Sequence, residues 1–334
     1  MRALILCLLL LISNSSYAVG IDVHIIMGQS NAGGGAYPPV PPSYLNGQPV
    51  LYYPNLVTNQ VWEANSPIEL QTLWNLWPTY MGASYGSEIS FAYQVSQFTE
   101  NPVAIIKVAA NGTGLETRWK PSLHDLYDWG LARVNVALSD LSQTYEPQVK
   151  SFIWIQGEND AGWDYWANKY EDNMVDFIST LRNDLGEPNL PILINQLHKD
   201  SVPTAKNIVR QAQVELDALD NVYVSNNDDG ILTEDGLHYT PEMHLNSGFR
   251  LANLLNPSAD FNHDKTVDSL DLDIFKASYG VDRAGDANND MVTDGQDFLI
   301  WQRQVANVQV FGVPEPNCVF LLSLIPFVWR FRHV

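Results

Sequence analysis

The sequence predicts an α/β protein with a parallel sheet of five strands covered on both faces by helices in three α/β/α layers. A small all-α module follows it. Three observations carry this reading. Short apolar runs alternate with stretches of helical spacing from residue 23 to residue 255, as in a parallel sheet with crossover helices. The first runs end in small or polar loops, where ligands bind beyond the carboxyl edge of such a sheet. Past residue 257 the chain turns acidic and repeats itself.

The first strand is the apolar run 23–27, which breaks at Gly28. Residues 33–87 form a long loop-rich insert with Pro38, Pro39, Pro41, Pro42 and the aromatics Tyr52, Tyr53, Trp62, Trp74, Trp77 and Tyr80. An insert of this length is usually functional or holds short elements of its own. Its aromatics suit either stacking on sugar rings or packing onto the domain. Ile89, Ala92, Val95 and Phe98 set a helix over 88–98, and 103–108 is the second strand. A helix over 123–141 leads to a third strand at 149–155. A helix over 165–185 stops at Gly186. A strand at 190–195, a helix at 205–219, a short fifth strand at 222–224 and a last helix over 241–255, with Pro241 in its first turn, complete the alternation.

The 334 residues allow one large domain plus a small one, and 46% hydrophobic with 17% charged residues describes a globular chain. The net charge of −20 argues against nucleic acid or an anionic membrane surface as partner. Arg2, the apolar run 3–12 and Ser16-Tyr17-Ala18 read as a secretory signal over residues 1–18. Its core is too short to span a bilayer. Cys7 lies in that signal and Cys318 near the far end, so the intervening region has neither disulfide nor thiolate nucleophile.

Chemistry concentrates in four polar blocks. Gly28-Gln29-Ser30-Asn31 places a serine on a turn at a strand end, where a hydrolase exposes its nucleophile. Alone, that turn is ordinary loop chemistry. A serine needs a base, and the base an orienting acid. His238 with Asp235 three residues earlier suits both tasks from one loop. His198, after the fourth strand, is the rival base, while His24, His124 and His244 sit in regular elements. Acyl transfer also needs oxyanion donors. The Ser30 and Gly112 amides and the Gln156 side chain are candidates, with Gln29, Asn31 and Glu158 as further substrate contacts. Glu158 has three open readings: a second acid near His238, a substrate contact, or a carboxylate that braces its loop.

The order of these blocks, Gly28-Gln29-Ser30-Asn31, Asn111-Gly112-Thr113, Trp154 through Asp160 and Asp235-Gly236-Leu237-His238, resembles the SGNH hydrolases. More narrowly it resembles the sialate O-acetylesterase-like and acetyl xylan esterase branch, carbohydrate esterase family 6. The stretch Tyr85-Gly86-Ser87-Glu88-Ile89-Ser90-Phe91-Ala92 is similar to a further block of that branch. The resemblance covers about residues 20–255. It implies a flavodoxin-like sheet, a triad of Ser30, His238 and Asp235, an oxyanion hole completed by Gly112 and Gln156, and no catalytic cofactor. Asn111 stands where the family often has glycine.

The acidic stretch carries a duplicated spacing. Asp260, Asn262, Asp264, Asp268 and Asp271 recur as Asp286, Asn288, Asp290, Asp294 and Asp297, with Thr266 and Val292 placed to offer carbonyls. Oxygen ligands at positions 1, 3, 5, 7, 9 and 12 suit a hard cation such as calcium. The pattern resembles a dockerin, which implies two structural Ca2+ sites and a cohesin-like partner; a spacer role is the alternative. Lys265 and Met291 replace the usual glycine at position 6. The tail, with Val313-Pro314-Glu315-Pro316, an apolar run over 319–329 and then Arg330 and Arg332, resembles a PEP-CTERM sorting signal. It implies transient membrane association and a secreted or surface protein. A plain anchor is the alternative.

The expected organisation is therefore a signal at 1–18, an esterase domain at 19–256, a dockerin-like module at 257–305 and a sorting tail at 306–334. The expected function is removal of O-acetyl groups from an acetylated polysaccharide or glycan. A sialate or other short-chain esterase is the alternative, and a non-catalytic surface binding module is the alternative of another class.

Overall fold

The computed structural model describes residues 19–34, 50–53, 71–72, 85–264, 266–289 and 292–309. The signal, residues 310–334 of the tail, most of the aromatic insert and Asp290 lie outside the described residues. The chain divides into two compact units after Pro257.

In the first unit, β1 (Val19–Gly28) leads into a single turn, α1 (Ser30–Gly33). The strands β2 (Val50–Tyr53) and β3 (Gln71–Thr72) precede α2 (Glu88–Val95) and β4 (Val103–Ala109). A π-helical turn at Leu115–Trp119 leads to α3 (Leu126–Leu141) and β5 (Tyr145–Ile155). Then come α4 (Asp164–Ala167), α5 (Tyr170–Leu185), β6 (Ile192–Asn195), α6 (Lys206–Glu215), β7 (Val222–Ser225) and α7 (Pro241–Leu255).

The sheet order is β3-β2-β4-β1-β5-β6-β7. Every pairing is parallel except β2 with β3. The expected five strands are thus corrected to six parallel strands plus a two-residue antiparallel edge. Both additions come from the insert, whose prolines and aromatics hide its short strands from a periodicity reading. β5 also starts earlier than expected. Residues 145–148 pair only with β1, while β6 joins at 152–154, so Pro147 sits where one side of the strand is free of a ladder. The helix expected over 165–185 is broken between α4 and α5.

Alternation along the strands divides the core in two. Ile21, Val23, Ile25 and Met27 pack with Val134 of α3, Phe177 of α5 and Val209 of α6. Ile26, Ile105, Ile153 and Leu193 face the other way, onto Phe91 of α2 and Phe249 of α7. Helices thus cover both faces. β1 lies at the centre, between β4 and β5, so its carboxyl end is the switch point where such sheets bind ligands.

The second unit contains α8 (Ser269–Ser278) and α9 (Gly295–Gln309). Its duplication is structural as well as sequential. Asp271 Oδ1 accepts from the Phe261 and Asn262 amides and Oδ2 from Asp268 N; Asp297 does the same with Ala287, Asn288 and Asp294. His263 and Asn289, at position 4 of each loop, both take left-handed φ, 58° and 63°. The carboxylate and amide oxygens are the donor types a hard cation takes. Each position-12 carboxylate is thus engaged by the amides of its own loop. Arg283 also pairs with Asp286 at 3.1 Å. Among the described residues no group of three or more His, Cys, Asp or Glu converges as a metal site.

Candidate active site

Ser30 owes its position to Gly28. The glycine has φ +147°, and a Cβ there would collide with the Ile155 carbonyl oxygen of β5. Only glycine lets β1 turn this sharply into α1. Ser30 opens α1, where a backbone amide has no intrahelical acceptor. Beneath this turn the buried pair Lys107–Glu88, 2.8 Å apart, anchors α1, because Lys107 Nζ also donates to Gly33 O at 2.8 Å. Glu88 belongs to the block Tyr85 through Ala92, whose part here is therefore support.

The loop after β7 brings His238 to the serine. His238 Nε2 lies 3.0 Å from Ser30 Oγ, and Nδ1 lies 2.6 Å from Asp235 Oδ2. Asp235 Oδ1 also accepts from Thr233 Oγ1 and from the Leu237 and His238 amides. These donors, the imidazole first, hold its carboxyl well below the usual carboxylate range. Ser30 and a loop about two hundred residues further on thus form a continuous serine–imidazole–carboxylate chain. The rival His198 is buried, takes the Asp200 amide on Nδ1, and does not line the cavity at Ser30. Burial lowers its pKa.

That cavity is about 730 Å³, and Ser30, Gly112, Glu158, Asn159, Trp163 and His238 are among its walls. Gly112 takes φ +67°, and a Cβ there would meet no atom within 4 Å, so its backbone stands open to a ligand. The Asn159 side chain fixes this loop by donating to Gly112 O at 3.0 Å.

Two expected contacts are corrected. Gln156, expected to present its amide to an oxyanion, is buried and absent from the cavity wall. Its Nε2 donates inward to Asp160 Oδ2 at 2.6 Å and Thr113 O at 3.2 Å, with Gln29 Oε1 at 3.3 Å. The buried Asp160 carboxylate, taking the Leu115 and Glu116 amides as well, draws the amide inward. Asn31, expected to touch substrate, is buried and bridges the protein instead. It donates to Glu158 Oε1 at 2.6 Å and Leu237 O at 3.1 Å, and accepts from Tyr239 N at 3.1 Å. It therefore clamps the backbone on both sides of His238. Gln29 is buried yet reaches the cavity wall, its Oε1 accepting from Asn159 N at 3.3 Å.

Glu158 combines bracing with a place in the cavity wall. One oxygen holds Asn31; the other has no partner among the described residues. Burial raises its pKa, with the Asn31 bond and the nearby His238 acting against that. Asn159 and Trp163 are site residues that the sequence reading misses. Their one signal is proximity: Asn159 lies in the polar stretch that follows β5, and Trp163 comes soon after it.

This arrangement has the parts for acyl transfer: a hydroxyl on an imidazole, an ionised carboxylate behind it, and open backbone amides beside it. Residues 20–256 match the family model described as carbohydrate esterase, sialic acid-specific acetylesterase. A probable carbohydrate esterase of Arabidopsis thaliana is 32% identical over 170 residues, half of this chain and 62% of the relative, so under two thirds of that relative's length is spanned. Among solved structures, a protein from Arabidopsis thaliana has a TM-score of 0.57 at 23% identity, over 70% of this chain and 97% of its own. A carbohydrate acetylesterase from Xanthomonas citri has a TM-score of 0.51 at 23% identity, over 70% and 55% respectively. NanS has a TM-score of 0.52 at 12% identity, over 72% and 98%. At these identities the structures share the fold.

Proposed function

Because the chain belongs to the carbohydrate esterase, sialic acid-specific acetylesterase family, we propose that it is a serine esterase that removes O-acetyl groups from polysaccharide. The carrying observation is the unbroken chain from Ser30 Oγ through the two nitrogens of His238 to Asp235. Ser30 Oγ attacks the acetyl carbonyl while His238 Nε2 takes its proton. Asp235 fixes the ring and stabilises the imidazolium. The Ser30 and Gly112 amides receive the oxyanion. His238 then protonates the departing sugar oxygen, leaving acetyl-Ser30. It next deprotonates a water, which attacks the ester, and returns that proton to Ser30 Oγ as the C–O bond breaks and acetate leaves. Gln156 and Asn31 act indirectly, the first through Gln29 and the Thr113 loop, the second by holding the His238 loop. Glu158 braces Asn31.

Acetate release from acetylated xylan by the full chain, beside Ser30→Ala, tests this. Release by the wild type alone is expected; equal release by both proteins overturns it. Activity only on O-acetylated sialic acid would select the alternative that the family's description suggests. Activity on no ester at all would leave the binding-module reading.

The acidic repeat is further proposed as a structural calcium module. The duplicated loops support this, with Asp260, Asn262, Asp264, Asp286 and Asn288 as oxygen donors. Calcium there would link loop to helix and take no part in the chemistry. A higher melting temperature in calcium than in chelator is the expected result; identical melts would remove the cation. Secretion through residues 1–18 and surface sorting through residues 306–334 complete the proposal. Mass spectrometry of the native protein, read for both processed ends, checks them.

A further inference from the structure

Trp163 is out of place for a large aromatic. It is 63% exposed, yet its backbone is well fixed: its amide donates to Asp160 O, and its carbonyl takes the Trp166 and Ala167 amides. Its ring meets Trp166 edge to face at 5.6 Å and lines the cavity that holds Ser30 and His238. Val202, 62% exposed, lines it too, and its amide donates to Gly236 O in the His238 loop at 3.0 Å. Asn111, Asn159 and Thr204 add uncharged hydrogen-bonding groups. A cavity of about 730 Å³ is far more than an acetyl group fills and matches a drug-sized ligand.

Charge narrows the ligand. Among the described residues no Lys or Arg lines the cavity, and Glu158 does. The sequence has no Lys or Arg from residue 3 to residue 106, so the insert contributes none either. The nearby cations are engaged elsewhere: Lys107 on Glu88, Lys206 on Ser201 O and Arg210 on Asp228. A carboxylate-bearing sugar would leave water for a site with no fixed counter-charge and one carboxyl group of like sign. An uncharged ring carries no such cost, and its apolar face suits an exposed indole.

We infer that Trp163 is the stacking face of a subsite for an uncharged sugar residue, adjacent to the acetyl group that Ser30 attacks. The inference rests on the esterase reading for its substrate, but its binding step can be read without turnover. An exposed side chain is replaced without loss of fold, so Trp163→Ala is a clean probe.

The test is calorimetric titration of the full-length Ser30→Ala protein with acetylated xylo-oligosaccharide and, separately, with O-acetylated N-acetylneuraminic acid. Adding Trp163→Ala is expected to weaken xylo-oligosaccharide binding about tenfold, and Trp163→Phe to restore most of it. The sialic acid is expected to give no binding. With Ser30 intact, the wild type should hydrolyse a small chromogenic acetate. Undiminished oligosaccharide affinity in Trp163→Ala overturns the subsite, and equal or tighter binding of the sialic acid overturns the uncharged ligand. Failure of the wild type to hydrolyse the chromogenic acetate would overturn the esterase reading alone, with the titration still deciding the subsite.

Discussion

Two polar loops meet at Ser30 and use their side chains in opposite ways. The loop of Asp235 and His238 leaves its ring and carboxylate partly open, with side-chain exposures of 38% for the histidine and 50% for the aspartate. The stretch from Gln156 to Asp160 is equally polar, yet Gln156, Glu158 and Asp160 are all buried. The first loop leaves its groups partly open; the second holds the surrounding loops in place, with Glu158 and Asn159 also on the cavity wall. Polarity at a strand end therefore marks a site without saying which polar groups face it. What decides is whether a backbone amide or a second carboxylate nearby claims the side chain first.

The largest effects should come from the exposed loop and its serine. Ser30→Ala is expected to lower kcat on the order of 10⁶-fold, and Asp235→Asn about 10⁴-fold, because the imidazole loses its orienting partner. Steady-state rates on a chromogenic acetate measure both. His198→Ala should leave the rate unchanged; a loss as large as that of Asp235→Asn would make His198 the base.

The buried stretch should respond differently. A direct oxyanion donor costs roughly 10²–10³ in turnover when removed. Gln156→Ala should cost less than that and show itself in a lower melting temperature, since it strips Asp160 and Thr113 of a buried donor. A full loss of about 10³-fold in kcat with an unchanged melt would restore Gln156 to the oxyanion hole. Asp160→Ala leaves the Leu115 and Glu116 amides without their acceptor, at about 1–3 kcal/mol for each unpaired group. Denaturant unfolding reads this; Asp235→Ala, more exposed, should shift it less.

The difference between the loops also marks where the sequence is legible. The α/β alternation and the serine–histidine–aspartate set can be read because each rests on local pattern: an apolar run, a strand-ending glycine, a three-residue spacing. The inward turn of Gln156 cannot, because its cause is Asp160 and a π-helical turn at Leu115–Trp119, contacts that no spacing encodes. β2 and β3 escape for a related reason. They are short and sit among prolines, so β4, not their own periodicity, fixes β2 as a strand.

The smallest effect is a pH dependence of stability. His24 and His244 are buried, and burial lowers their pKa from 6.5 to about 4 and about 3. Between those values and 6.5 the unfolded chain binds more protons than the folded one. The stability they support is therefore complete above pH 6.5 and declines as pH falls toward 4. Both ring nitrogens of His244 lack a partner among the described residues, so His244→Phe should flatten the decline in a series of melts. A melting temperature level from about pH 7 to about pH 5 in the wild type would contradict this.

The proposed mechanism turns on Ser30 as the nucleophile, 3.0 Å from His238 Nε2. Covalent labelling by a serine-directed phosphonate, located by peptide mass spectrometry, tests it most directly. One label is expected, on Ser30, absent from His238→Ala. A label on another serine, or full turnover after exposure with Ser30 unlabelled, would contradict it.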